Sequence, residues 1–126
     1  MENTQELKTR YSDTELEEFK VLIEEKLDQA KNELKYYLTQ LSDMADNPDA
    51  KVKGLDDGIG TAENERLSIM AARQQKLIQH LENALLRIRN KAYGVCRSTG
   101  KLIPKERLRA VPHATLSIEA KQNRKR

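Results

Sequence analysis

This 126-residue sequence has a single cysteine. It can form no disulfide within itself, which suits a reducing compartment, so a cytoplasmic location is expected. It has no tryptophan and only one phenylalanine. With 34% charged residues there is too little bulky apolar matter for a thick globular core. A long, thin helical architecture needs only a narrow apolar stripe and fits better. No run of about 18 apolar residues is present, so no membrane span is expected. The opening "MENTQELKTR" lacks the apolar segment of a signal peptide, so export is not expected. Motifs for chemistry are missing too. There is no nucleophile beside a base, no phosphate loop and no pair of catalytic carboxylates, so an enzyme is not expected. Asp56-Asp57, adjacent acids in a Gly-rich loop, read as solvated turn residues.

What the sequence does have is helical periodicity. Ser12-Asp13-Thr14-Glu15 has the spacing of a capping box. Leu16, Phe19, Ile23, Leu27, Ala30, Leu34, Leu38, Leu41 and Ala45 then follow in steps of three or four, one face of a helix. Asn47-Pro48 ends it, because proline disfavours helical geometry at the residue before it. A second helix is expected from Thr61 or Ala62, with its stripe at Leu67, Met70, Gln74, Leu77, Leu81, Leu85, Ile88 and Ala92. Gln74, the one polar residue in that stripe, reads as a register-setting position. Tyr93-Gly94 is expected to close the helix, with Gly94 in left-handed geometry. Two such helices, each about 45 Å long, bury their stripes most simply against each other as an antiparallel coiled-coil hairpin. The fold class is therefore mostly α. Residues 1–92 hold an N-terminal segment and the hairpin, with its tip at 45–60. Residues 93–126 form a small zinc-finger-like head with a short C-terminal helix and a basic tail. A hairpin that satisfies its own stripe is expected to be monomeric.

Charge divides along the same line. Residues 1–92 carry 14 Lys/Arg against 18 Asp/Glu, and residues 93–126 carry nine against two. The head should attract phosphate or an acidic protein surface. A weak, non-specific nucleic-acid interaction through the head, or a coiled-coil adaptor role, is the alternative function.

The segment "YGVCRSTGKLIPKERLRAVPHATLSIEAK" opens like a zinc knuckle. A structural zinc takes four soft or borderline ligands, commonly two Cys-x-x-Cys pairs. Here the corresponding positions read Cys96-x-x-Thr99 and Ser117-x-x-Ala120. Hydroxyls that stay protonated near neutral pH are poor zinc ligands, and alanine offers no ligand. His113 lies in the head and His80 on the second helix, and together they complete no regular site. No zinc is expected. Cys96 reads as a small buried hydrophobe, with Thr99 and Ser117 exchanging hydrogen bonds while Ala120 packs.

This segment resembles the C-terminal zinc finger of the DksA/TraR family of bacterial transcription factors. Tyr93, Gly94, Cys96, Gly100, Ile103, Arg107, Leu108, Ala110, Pro112 and Ala114 fall on that family's pattern without a gap. The resemblance implies a non-enzymatic regulator whose coiled coil enters the secondary channel of RNA polymerase. It also implies a D-x-x-D-x-A motif at the tip. Gap-free alignment puts Lys53, Asp56 and Gly58 at the motif's defining positions, so Asp56 is retained, with Asp57 beside it. Arg73 is the expected contact to the polymerase rim, and Arg107 and Lys121 are further polymerase or phosphate contacts. A guanosine tetraphosphate site implied by the resemblance would fall on His80, Val111 and Lys121. Only Lys121 keeps a firm positive charge, which argues against the alarmone and leaves no cofactor expected.

Overall fold

The computed structural model describes residues 10–46 and 59–124. Four helices follow in order: α1, Asp13–Asp46; α2, Ile59–Arg89; α3, Lys105–Ala110; and α4, Ile118–Arg124. Among the described residues the only sheet-like pairing is one antiparallel bridge, Val95 with Leu102. The chain divides into two compact units, Met1–Lys26 with His80–Arg126, and Leu27–Gln79.

The capping box closes the start of α1 as expected. The Glu15 N–H donates to Ser12 Oγ at 3.1 Å, and the Ser12 N–H donates to Glu15 Oε1 at 2.9 Å. Two free backbone donors are thereby satisfied. The end of α2 differs from expectation. The helix stops at Arg89, and the left-handed residue is Lys91, with φ of 61°. The Ala92 N–H reaches the Arg87 carbonyl at 2.8 Å and the Lys91 N–H reaches the Ile88 carbonyl at 2.9 Å. That pair of bonds is a Schellman closure. A lysine holds the strained position, and its Nζ lies 2.6 Å from Asp13 Oδ1 at the start of α1. The hydrogen bond and charge of Lys91 draw the Asp13 carboxyl below its ordinary range. The start of one helix thus meets the end of the other, so α1 and α2 run in opposite directions.

In the first unit the core gathers Leu16, Phe19 and Ile23 of α1, Leu81 and Ala84 of α2, and Tyr93, Ile103 and Leu108 beyond them. Phe19 stands between two tyrosines, its ring centroid 5.7 Å from Tyr11 and 5.3 Å from Tyr93. Both hydroxyls are satisfied in the interior. Tyr93 donates to the Pro112 carbonyl at 2.7 Å, and Tyr11 donates to the Ile103 carbonyl. Burial raises both phenols above their ordinary range, so they stay protonated donors. In the head Tyr93, Ile103 and Leu108 are buried, whereas Ile118 is 54% exposed. Tyr11 belongs to the core although it precedes the periodic segment.

In the second unit Leu27 and Ala30 of α1 and Leu67 and Ala71 of α2 are buried. Gln74 Nε2 donates to Glu33 Oε1 at 3.1 Å, so the polar seam position pairs across the helices. Beyond Ala30 the stripe of α1 departs from the expected one. Leu34, Tyr37, Leu41 and Met44 are half-buried, while Leu38 and Ala45 are exposed. These steps alternate four and three, the 3.5-residue repeat that keeps a seam facing its partner.

Gly94 and Gly100 both have positive φ, 82° and 75°. A Cβ on Gly94 would lie 2.7 Å from two Tyr11 ring atoms, whereas at Gly100 nothing lies within 4 Å. Gly100→Ala should therefore cost only the left-handed penalty, about 1 kcal/mol. Gly94→Ala should cost at least about 2 kcal/mol, because the ring must also move. Urea unfolding of the two variants checks this, and equal losses would contradict the described packing.

Candidate functional site

The knuckle is built around one sulfur. The Cys96 N–H donates to the Lys101 carbonyl at 2.8 Å, and the Gly100 N–H donates back to the Cys96 carbonyl at 2.9 Å. Thr99 Oγ1 accepts from the Lys101 N–H at 3.2 Å, which closes the turn. The Arg97 N–H donates to the Thr115 carbonyl at 2.9 Å and ties the segment after the cysteine to the loop before α4. Ser117 begins α4: its Oγ accepts from the Ala120 N–H at 3.1 Å, and its own N–H donates to Cys96 Sγ at 3.4 Å. Ala120 is buried. The expected packing of Ala120 is found. The two hydroxyls, however, do not pair with each other. Thr99 and Ser117 each serve the backbone, and both bond to the sulfur.

Cys96 is 1% exposed, yet its thiol is acidic. Desolvation pushes the thiol up. The Thr99 hydroxyl and the N–H groups of Ser117, Thr99 and Ser98 outweigh that and bring it down to about 6. These donors favour the thiolate over the thiol.

Zinc does not fit this donor set. One thiolate is present, both hydroxyl oxygens are engaged as acceptors for backbone N–H groups, and the fourth position is a methyl group. Among the described residues no three His, Cys, Asp or Glu side chains gather where they would hold a metal ion.

Beside the knuckle lies a cavity of about 650 Å3. Arg87 of α2, Arg97 after the cysteine, Arg107 of α3 and Lys121 of α4 line it, with no carboxylate among the lining residues. Arg87 donates to the His113 carbonyl at 3.4 Å, and Arg107 Nε donates to the Leu116 carbonyl at 2.8 Å. His80 and His113 also line it, their rings stacked at 5.2 Å and inclined by 4°. Burial, then the nearby His80 and Arg87, pull the His113 imidazole below its ordinary range. Its Nδ1 is buried and has no hydrogen-bond partner among the described residues.

The structure therefore brings Arg107 and Lys121 together, along with His80 and Val111. Arg73 is exposed on α2 in the other unit. Asp56, Asp57 and Gly58, like Lys53, lie outside the described residues. Sequence reasoning missed Arg87, Arg97 and His113 as cavity residues. The signal for Arg87 was the spacing His80, Asn83, Arg87, which places all three on one face of a helix.

Residues 91–126 match the family model of the prokaryotic dksA/traR C4-type zinc finger. General stress protein 16O of Bacillus subtilis is 36% identical over 63 residues, 48% of this chain and 39% of that protein. The RNA polymerase-binding transcription factor DksA of Caulobacter vibrioides is 44% identical over 54 residues, 43% of this chain and 38% of that protein. The chain thus matches about two fifths of the length of these curated relatives. The structure of transcription factor DksA2 from Pseudomonas aeruginosa superposes with a TM-score of 0.76 at 24% identity, covering 89% of this chain and 84% of that one. That likeness establishes a shared fold.

The Cys96 thiolate should be visible in its ultraviolet absorbance, with a midpoint near pH 6 in the folded protein and near pH 9 in urea. Because the folded value lies below the unfolded one, ionisation stabilises the fold in full above about pH 9. That contribution fades as pH falls and is gone below about pH 6. Cys96→Ser should lose this part of the pH dependence of Tm. Parallel profiles for the two proteins would show that the sulfur is not ionised.

Proposed function

We propose that this chain, whose residues 91–126 match the DksA/TraR zinc-finger model, is a member of that family and a non-enzymatic transcription regulator that binds RNA polymerase, with its helix pair entering the secondary channel. Segment 91–126 carries the reading. It matches the family model, and here it forms a buried knuckle packed on residues of α1 and α2. In this proposal residues 1–92 supply reach and residues 93–126 form the head that stays outside the channel. Asp56 and Asp57, with Gly58 beside them, are the working end, since acidic groups suit a catalytic magnesium or a basic polymerase surface. Arg73 contacts the rim.

The knuckle works without zinc, with the Cys96 thiolate as its hub. The cavity is the phosphate-contact site. Arg87, Arg97 and Arg107 add charge beside Lys121, so a multiply charged nucleotide such as guanosine tetraphosphate meets more cations here than His80, Val111 and Lys121 alone would provide.

The nucleic-acid alternative draws little support. Tyr93 is the head's only aromatic; it is fully buried and its hydroxyl is engaged. It offers no stacking platform. Among the described residues no helix is long and apolar enough to cross a membrane. A helix pair with its seam covered needs no second copy, so the active species is a monomer.

The purified protein should compete with an established secondary-channel factor for polymerase. Absence of competition at high micromolar concentration would refute the reading. An Asp56→Asn/Asp57→Asn double variant should keep binding and lose its effect on transcription. Arg73→Glu should weaken binding by about tenfold, the size of one lost charged contact at an interface. Protein prepared without a metal-affinity tag should carry no stoichiometric zinc by elemental analysis, and a chelator should leave its Tm unchanged.

A further inference from the structure

A second seam runs along α1, apart from the one that faces α2. Val21, Glu24, Asp28, Lys31, Lys35 and Leu38 follow in alternating steps of three and four. That is the 3.5-residue repeat of a helix with a partner. All six are exposed, and Val21 and Leu38 are among the large apolar residues left open, at 49% and 45%. The charges between them are segregated. Two acids one turn apart precede two bases one turn apart, and like charges at that spacing repel within a helix. Among the described residues none of these four forms an ion pair. The order has a symmetry of its own. Turned end for end about the point between Gln29 and Ala30, Val21 falls on Leu38, Glu24 on Lys35 and Asp28 on Lys31. Each charge meets its opposite, and each apolar side chain meets another. Beside Leu38 the surface holds a hollow of about 350 Å3 whose lining includes Leu34, Lys31 and Lys35. That hollow lies where Val21 of a facing helix arrives.

We propose that α1 pairs through this face with α1 of a second copy of the chain, antiparallel and related by a two-fold axis. A two-fold makes such a contact self-complementary, because residue i meets j and j meets i. The Val21–Leu38 contacts form the two ends. The Glu24–Lys35 and Asp28–Lys31 pairs, each made twice, lie between them. A parallel arrangement in register sets acid on acid and base on base, so the charges also fix the direction. Exposed ion pairs are individually weak and one helix face is a small interface. The dimer therefore dissociates readily, with a Kd of about 100 µM at low salt. The pairing belongs to the free protein and is independent of the polymerase reading, in which the active species remains the monomer.

The test is sedimentation equilibrium of the whole chain at low ionic strength, from about 10 µM to about 1 mM. The average mass should climb from one chain toward two, and added salt should weaken the association by about tenfold. Glu24→Lys/Asp28→Lys makes the seam wholly basic, and Lys31→Glu/Lys35→Glu makes it wholly acidic. Each double variant alone should stay monomeric while keeping the helical circular dichroism of the parent. Mixed in equal amounts, the two should associate at least as tightly as the parent, because the mixture restores every opposite pair. Three results would overturn the proposal: a parent chain that stays monomeric at about 1 mM, a double variant that associates like the parent, or a mixture that stays monomeric while the parent pairs. Loss of polymerase competition by the variants beside a monomeric parent would assign this face to polymerase instead of a second copy.

Discussion

Backbone N–H groups from Ser98, Thr99 and Ser117 converge with the Thr99 hydroxyl on the sulfur of Cys96. This convergence ties together the two segments of the head. One donor set comes from the turn that follows the cysteine, the other from the residue that starts α4. In a four-thiolate site a cation balances four negative sulfurs. Here one sulfur stands alone, and neutral dipoles are aimed at it where a cation would otherwise stand. The remaining positions are free for other tasks, and each has one: Thr99 closes a turn, Ser117 caps a helix, and Ala120 fills space.

The tyrosines set the head in place. Tyr11 and Tyr93 flank Phe19, and their hydroxyls reach carbonyls at Ile103 and Pro112, on either side of α3. These bonds fix both ends of the segment that carries Arg107. The Lys105–Glu15 pair at 2.6 Å joins the start of α3 to α1. The Glu15 contact raises the lysine above its ordinary range. The cation-lined cavity is a product of this bracing: its walls come from α2, the loop after Cys96, α3 and α4, and each is anchored by backbone or buried contacts.

The helices were legible because an amphipathic period is a strong signal over thirty residues, and the cap at Ser12 was legible because its spacing is specific. The exact seam was not. Leu38 and Ala45 looked apolar enough to belong, but a 3.5-residue repeat selects Tyr37 and Met44, and hydropathy alone does not register phase. The end of α2 was misplaced by a bias toward glycine. Lys91 takes the left-handed position next to Asp13, a partner distant in sequence. The knuckle was legible from its motif. The cavity was only half so, because Arg87 and Arg97 gain meaning when α2 and the loop after Cys96 are brought beside α3 and α4. The tip residues lie outside the described structure.

The second use found for Ser117 bears on how such a head changes over generations. A four-sulfur centre here would need cysteine at Thr99, Ser117 and Ala120 beside Cys96. A cysteine at Ser117 forfeits the helix cap before any ion is held, and one at Ala120 must place its sulfur at a buried position. Each intermediate loses a contact and gains no metal bond, so stepwise mutation meets an uphill path. The Ser117 hydroxyl and the Ala120 methyl group thus hold structural roles that a four-sulfur centre would displace.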